Sequence, residues 1–320
     1  SFFILQILYA YWGFTTVFLF WGAMIKATRL WGGGKNQGKA FGFLDGGRGV
    51  IAASIGSIGV FIFSMFLKIE IDLASVVEKQ EAFRYVILFS SFTVIIIGAL
   101  VLYSMEDEQK DQVKKNSSIN SIKNIKSVLK IKSVWLMMMI IMSAYVGYKL
   151  TDIYSLYASE VMLYNQIEAA EIGALQLYLR PLACIVIGLL ADKTSNIRWI
   201  IIGFLIMLIG ALLFASGIIT SSMNIIFLLS LIITAVGTYA IRALYFAVFN
   251  EGRIPLDLTG TAVGIISIIG YTPDIFATPI IGYLLDTYPG IVGHQYVFMM
   301  LIIFSILGLF ASIKFSKLNS

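Results

Sequence analysis

Histidine and cysteine each occur once in 320 residues, and Asp, Glu, Lys and Arg together make up only 13% of the chain. A single thiol excludes an intrachain disulfide, and Cys184, set in an apolar run, reads as packing. One Cys and one His also exclude a Cys/His zinc site. Nowhere do a nucleophile, a base and metal ligands gather, so the chain does not read as an enzyme, and neither cofactor nor metal is expected. The run Gly32-Gly33-Gly34-Lys35-Asn36-Gln37 lacks phosphate-loop spacing and follows no strand, which argues against nucleotide binding there. The pI of about 9.1 comes from loop lysines suited to anionic lipid, with no sign of nucleic acid as a partner.

What fills the chain is apolar sequence. Hydrophobic residues make up 59% of it and mean hydropathy is +0.89, more than a soluble fold buries. Runs near the length that crosses a hydrocarbon core of ~30 Å occur nine times: 4–24, 40–67, 83–103, 133–161, 169–190, 199–219, 225–249, 259–285 and 296–313. The expectation is an all-α membrane protein. Sixteen Lys and Arg fall in one set of alternate loops and three in the other. The positive-inside rule therefore puts the C-terminus in the cytoplasm and residue 1 outside. Lys26 and Arg29, ending the first run, either snorkel to the headgroups or line the inner mouth of a pathway.

Ionisable groups inside apolar runs are costly, so each is a candidate for function. Arg180 stands nine residues from Glu171 and twelve from Asp192, roughly 14 and 18 Å from the two ends at ~1.5 Å per residue, and Pro181 beside it removes a backbone donor. Tyr145, Lys149 and Asp152 share one helical stripe with Tyr148 alongside. That stripe either lines water or is a self-neutralising pair. Arg242 lies roughly 12 Å from the end of its run at Asn250, and Asp274 in Tyr271-Thr272-Pro273-Asp274 sits far from both ends. Asp45 and Arg48, three apart, are expected to pair. If Lys149 pairs with Asp152 as well, two Arg and one Asp are left, a surplus that favours an anionic or hydroxylated solute. Asp152 and Asp274 are the carboxylates placed to carry a coupling proton, unless both are permanently paired. His294 falls in an outer loop after Pro289-Gly290 and is set aside.

The turn Gly188-x-Leu190-Ala191-Asp192-Lys193, with Arg198 following, resembles the signature loop of the major facilitator superfamily of secondary transporters. The chain has Ser195 where that family usually has Gly. Glycines four apart at Gly38 and Gly42 recur at Gly260 and Gly264, six runs later, as parallel repeats would. Arg242-Ala-Leu-Tyr-Phe-Ala, Asn250-Glu251-Gly252-Arg253-Ile254-Pro255, Gly270-Tyr-Thr-Pro-Asp274 and Gly282-Tyr-Leu-Leu-Asp286 resemble a YihN-like branch of it. The resemblance implies a bundle of two pseudo-symmetric halves with nine of twelve expected helices in view, numbers four to twelve, truncated at the N-terminus. Residues 1–104 would be the rest of the first half and 133–320 the six-helix second half. Residues 105–132 would link them, either as an amphipathic helix on the inner leaflet, from the Ile119, Ile122, Ile125 spacing, or as a disordered tether.

In that family the helices corresponding to those carrying Lys149, Asp152 and Arg242 wall a central cavity. Tyr145, Tyr148, Arg180, Arg242, Asp274, Lys149 and Asp152 are therefore the expected solute pathway, with Arg180 and Asp274 equally readable as helix-bridging ion pairs. Asp192, Lys193, Arg198, Asp45, Arg48 and Gly38 are the expected gating group, with Asp192 approaching the start of the helix at residues 38–40. The implied function is secondary transport of a small polar, anionic solute, a sugar derivative or organic acid, by alternating access. Protons are the candidate coupling ion, the protein a monomer in lipid, and the location a bacterial inner membrane. A non-transporting membrane sensor or scaffold on the same fold is the alternative.

Overall fold

A computed structural model describes residues 2–67, 74–104 and 121–319. The helices are α1 (Phe2–Phe14), α2 (Gly22–Gly32), α3 (Gln37–Phe66), α4 (Val76–Ser104), α5 (Ser121–Leu129), α6 (Lys132–Lys149), α7 (Ile153–Glu160), α8 (Gln166–Asp192), α9 (Asn196–Ala215), α10 (Asn224–Leu244), α11 (Thr259–Gly270), α12 (Pro273–Thr287) and α13 (Ile291–Asn319). Among the described residues, nine stretches are long and apolar enough to span a membrane. Each overlaps one run read from hydropathy.

Three of those spans are interrupted. A π-helical stretch, Thr15–Trp21, joins α1 to α2, and a 3-10 turn at Leu150–Asp152 separates α6 from α7. Between α11 and α12 the helix stops at Gly270 and restarts at Pro273. Pro273 sits in the first turn of α12, where its missing N–H leaves no bond unmade. Pro181, by contrast, lies within a helix that runs through it from Gln166 to Asp192. Backbone freed inside a membrane is tolerated only where protein or a cavity covers it, so the three breaks are where a polar site is to be sought.

The chain divides into two compact units, Ser1–Gly49 with Ser121–Ser320, and Val50–Asn120. In the larger, α9 packs on α10 and α13, α13 on α6, α8 on α10, and α11 on α6 and α2. Glycine sets the approach of α9 to α10, since a Cβ on Gly237 would lie 2.7 Å from the Gly203 carbonyl oxygen. At one end of the bundle Tyr157, Phe214, Phe227 and Phe298 interlock, with Phe214 stacked on Phe298 at 4.3 Å and Tyr157 on Phe227 at 5.6 Å. His294, expected in a loop, sits instead in the first turn of α13, fully buried among these rings, and bonds Glu160 at 3.0 Å. The Pro289-Gly290 turn is so tight that α13 begins at Ile291. Four buried hydroxyls bond within their own helices: Thr234 to Ser230 O, Thr238 to Thr234 O, Ser305 to Leu301 O and Ser312 to Gly308 O.

Within the same unit α3 lies directly on α8. A Cβ on Gly42 would stand 2.6 Å from the Cys184 carbonyl oxygen, one on Gly46 2.9 Å from the Ile185 side chain, and one on Gly49 3.2 Å from Pro181. Small residues spaced this way let membrane helices touch backbone to backbone. Of the echoing pair, neither is packed in the same way: a Cβ on Gly260 or on Gly264 would meet nothing within 4 Å, although the Gly260 carbonyl oxygen lies 3.5 Å from where a Cβ on Gly22 would stand.

In the unit Val50–Asn120, Phe66 stacks on Tyr85 at 3.8 Å. Ser75 and Glu78 cap α4 reciprocally, Glu78 Oε2 accepting from Ser75 N at 2.9 Å and Ser75 Oγ accepting from Glu78 N at 3.3 Å. The helix expected in the linker is α5, with Val128 buried and Lys123, Ile125 and Lys126 exposed; its expected start near Ile119 lies outside the described residues.

Candidate solute pathway

Asp45, on α3, is 5% exposed and is the hub of the buried charges. Arg180 Nη2 donates to it at 2.8 Å, Arg242 Nε at 3.4 Å and Arg48 Nη1 at 3.3 Å, and Cys184 Sγ at 3.4 Å completes the shell. The pairing with Arg48 exists, but two further cations from α8 and α10 share the same carboxylate. One anion against three cations is a strongly basic centre, and a carboxylate this deep is stable only because so many charged donors meet it.

Lys149 does not pair with Asp152. Its partner is Asp274 on α12, which also accepts from Tyr145 Oη at 3.0 Å. The physical reason is the 3-10 turn at Leu150–Asp152, which breaks the stripe and carries Asp152 away from Lys149. Asp152 instead lines a pocket of about 260 Å³ with Arg180, Tyr148, Gln176 and Tyr239, and among the described residues no cationic group lies within 4.0 Å of it.

A larger cavity of about 360 Å³ is walled by Thr16 and Trp21 from the π-helical stretch, Arg48, Tyr145, Arg242, Tyr271 and Asp274. Two of the three helix breaks thus border it, and the third, at Asp152, borders the smaller pocket. The walls are aromatic as well as charged: Tyr271 meets Tyr145 edge-on at 4.9 Å and Trp21 at 6.1 Å. The guanidinium of Arg242 lies 3.6 Å above the Tyr148 ring, and that of Arg48 lies 4.7 Å above Trp21. Cations held on π faces keep their charge without a second carboxylate.

One end of the bundle is tied shut by polar contacts. Asp192 Oδ1 accepts from Gly38 N and Oδ2 from Lys39 N, both at 2.7 Å, so its carboxylate caps the first turn of α3, where the helix dipole favours an anion. Glu251 does the same for α9, accepting from Asn196 N at 2.8 Å and Ile197 N at 3.2 Å. Arg29 does not snorkel. It is 5% exposed and donates to Asn250 Oδ1 at 2.7 Å, Ile254 O at 2.5 Å and Thr259 Oγ1 at 2.8 Å. A guanidinium with that many acceptors in reach gains more than it would in the headgroups. Lys193 and Arg198 stay exposed.

Residues 1–278 match the family model of the Major Facilitator Superfamily. The chain belongs to the Major Facilitator Superfamily. It is also similar to two Escherichia coli proteins. It is 28% identical to inner membrane protein YqcE over 89% of this chain and 67% of that one. To inner membrane protein YihN it is 26% identical over 97% of this chain and 72% of that one. As a superfamily member it is a multi-pass membrane protein of a transporter family. The wall residues Trp21, Thr16 and Tyr271, and the Arg29 and Glu251 contacts, were not read from this superfamily sequence. A Trp in an apolar run has no distinguishing spacing, and contacts between distant loops leave no local pattern.

Proposed function

We propose that the protein is a secondary transporter, acting as a monomer in a bacterial inner membrane, that carries a small polar anion by alternating access with a proton as coupling ion. The sequence favours a sugar derivative or an organic acid. The observation that carries the reading is the cavity bordered by two helix breaks, where Arg48 and Arg242 meet Tyr145, Tyr271 and Asp274. Lys149 already occupies Asp274, so the cavity's cations exceed its available carboxylates. Discontinuous helices at mid-depth are where transporters of this kind hold their cargo. Residues 1–104 and 133–320 act as the two rocking halves in this reading, with residues 105–132 as their tether. The loop charges support a cytoplasmic C-terminus. The end closed by Arg29, Asp192 and Glu251 is then the cytoplasmic one, and the cavity belongs to an outward-facing state.

Asp192→Asn removes the charge at the α3 cap, worth about 1–2 kcal/mol, so the balance of conformers shifts roughly 5–30-fold toward the inward-facing state. The measure is labelling, by a membrane-impermeant maleimide, of a cysteine placed at Val17 on the cavity wall in a Cys184→Ser background. Labelling from outside should slow, and an unchanged rate would count against Asp192 as a gate.

Proton coupling is assigned to Asp152, the pathway carboxylate that has no cation on it among the described residues. Proteoliposomes of the full-length protein, offered sugar acids, sulfonates and phosphates with and without an inward proton gradient, test the whole reading. Uptake should be gradient-driven in the wild type. In Asp152→Asn the gradient should have no effect while counterflow of labelled solute persists. A folded protein that moves none of these would instead be the non-transporting sensor or scaffold.

A further inference from the structure

Two buried donors in the cavity wall have no partner. Arg242 is 8% exposed and Trp21 9%, and neither Arg242 Nη1 nor Trp21 Nε1 makes a hydrogen bond among the described residues. Buried N–H groups nearly always find an acceptor, and a buried Trp in particular. Here two of them, one on a charged group, belong to side chains that border the same space. Asp45 occupies Arg242 through its Nε edge at 3.4 Å, so the unused nitrogen is on another part of the fork.

We infer that Trp21 and Arg242 form an oxyanion-binding corner, and that the solute docks there through a carboxylate, sulfonate or phosphate group. The inference rests on the transport reading above and adds to it the atoms that hold the charge. Trp21 Nε1 and Arg242 Nη1 each donate to one oxygen, and Arg48 supplies the second cation. The body of the solute lies against Tyr145 and Tyr271, with the Lys149–Asp274 pair at hand for hydroxyl groups.

Both donors are closed to solvent in this conformer, so something must move to admit an anion. Arg48 is the part least tightly held. Its guanidinium covers the Trp21 ring, its side chain is 37% exposed, and its contact with Asp45 is 3.3 Å, whereas Arg180 reaches the same carboxylate at 2.8 Å. An entering oxyanion draws Arg48 off the indole. Asp45 keeps Arg180 and Arg242, so the centre stays assembled while the corner opens.

The test uses the full-length protein in detergent, with thermal stabilisation by D-glucuronate, isethionate, glycerol 3-phosphate and, as neutral control, D-glucose. Trp21→Phe keeps the ring and loses only the N–H. It should weaken stabilisation by the effective anion about 10-fold or more, and Arg242→Lys should do the same, with any effect of glucose unchanged. Should either variant fail to fold, the wild type still decides: one indole N–H resonance should move downfield with the anion and none with glucose. An anion bound with unchanged affinity by Trp21→Phe, or one that moves no indole resonance, overturns the corner and leaves the transport reading standing. Stabilisation by glucose alone, or by none of the four, overturns the anionic reading and the corner with it.

Discussion

Asp45→Asn is expected to be the most damaging conservative substitution in this protein, with uptake falling at least 100-fold and a large drop in melting temperature. The carboxylate is met by Arg48, Arg180 and Arg242 from three helices. An amide of the same shape still accepts hydrogen bonds but no longer offsets any charge. Three guanidinium groups would then face one another in a low-dielectric interior, and removing one partner of a buried ion pair costs about 3–5 kcal/mol. Arg180 and Arg242 cannot escape to water, since both are more than nine-tenths buried. Arg48 can, so Asp45→Asn combined with Arg48→Gln should recover part of the lost stability. Melting curves in detergent for the single and double variants check this. A single variant that melts within a degree or two of the wild type would mean that the three arginines are neutralised in some other way.

The second large effect is expected at Gly188. Its Cβ position collides with the Gly38 carbonyl oxygen and stands 3.0 Å from the Cα of Gly42. Both are backbone atoms, so no side chain can step aside, and Gly188→Val must push α8 off α3. Overpacking of this kind costs about 1–3 kcal/mol. The same displacement also pulls Asp192 away from the Gly38 and Lys39 amides, which it now meets at 2.7 Å. Uptake should drop 10- to 100-fold with membrane expression retained. A Gly188→Val protein that transports at the wild-type rate would show that this close approach is not needed in the cycle.

The spans were legible because hydropathy is a local sum that tertiary packing does not alter, and nine runs became nine spans. The meeting of Asp192 with the start of α3 was legible for another reason: its turn resembles the superfamily's signature loop, where the Asp can face the positive end of a helix dipole. Ion pairs were read poorly. The spacing of Lys149 and Asp152 suits a regular helix, and a 3-10 turn between them undoes the geometry on which the inference rested. Asp45 and Arg180 are 135 residues apart and Asp45 and Arg242 are 197 apart, so no periodicity could join them. Of the two readings of Arg29, snorkelling failed because it considers only depth, while Asn250, Ile254 and Thr259 come from the loop and helix start more than two hundred positions away.

The buried hydroxyls of Thr234 and Thr238 on α10 and of Ser305 and Ser312 on α13, each bonded to a carbonyl one turn back in its own helix, bear on how such a bundle moves. A hydroxyl satisfied at home makes little directional claim on its neighbour, and Thr238 reaches across only to the soft sulfur of Met207 at 3.4 Å. The faces between these helices are therefore greased rather than stitched, and sliding one past another breaks few bonds. Friction in the cycle is then concentrated at the cross-helix fastenings, among them Asp45, Asp192, Glu251, Arg29 and the Lys149–Asp274 pair, which act as its brakes.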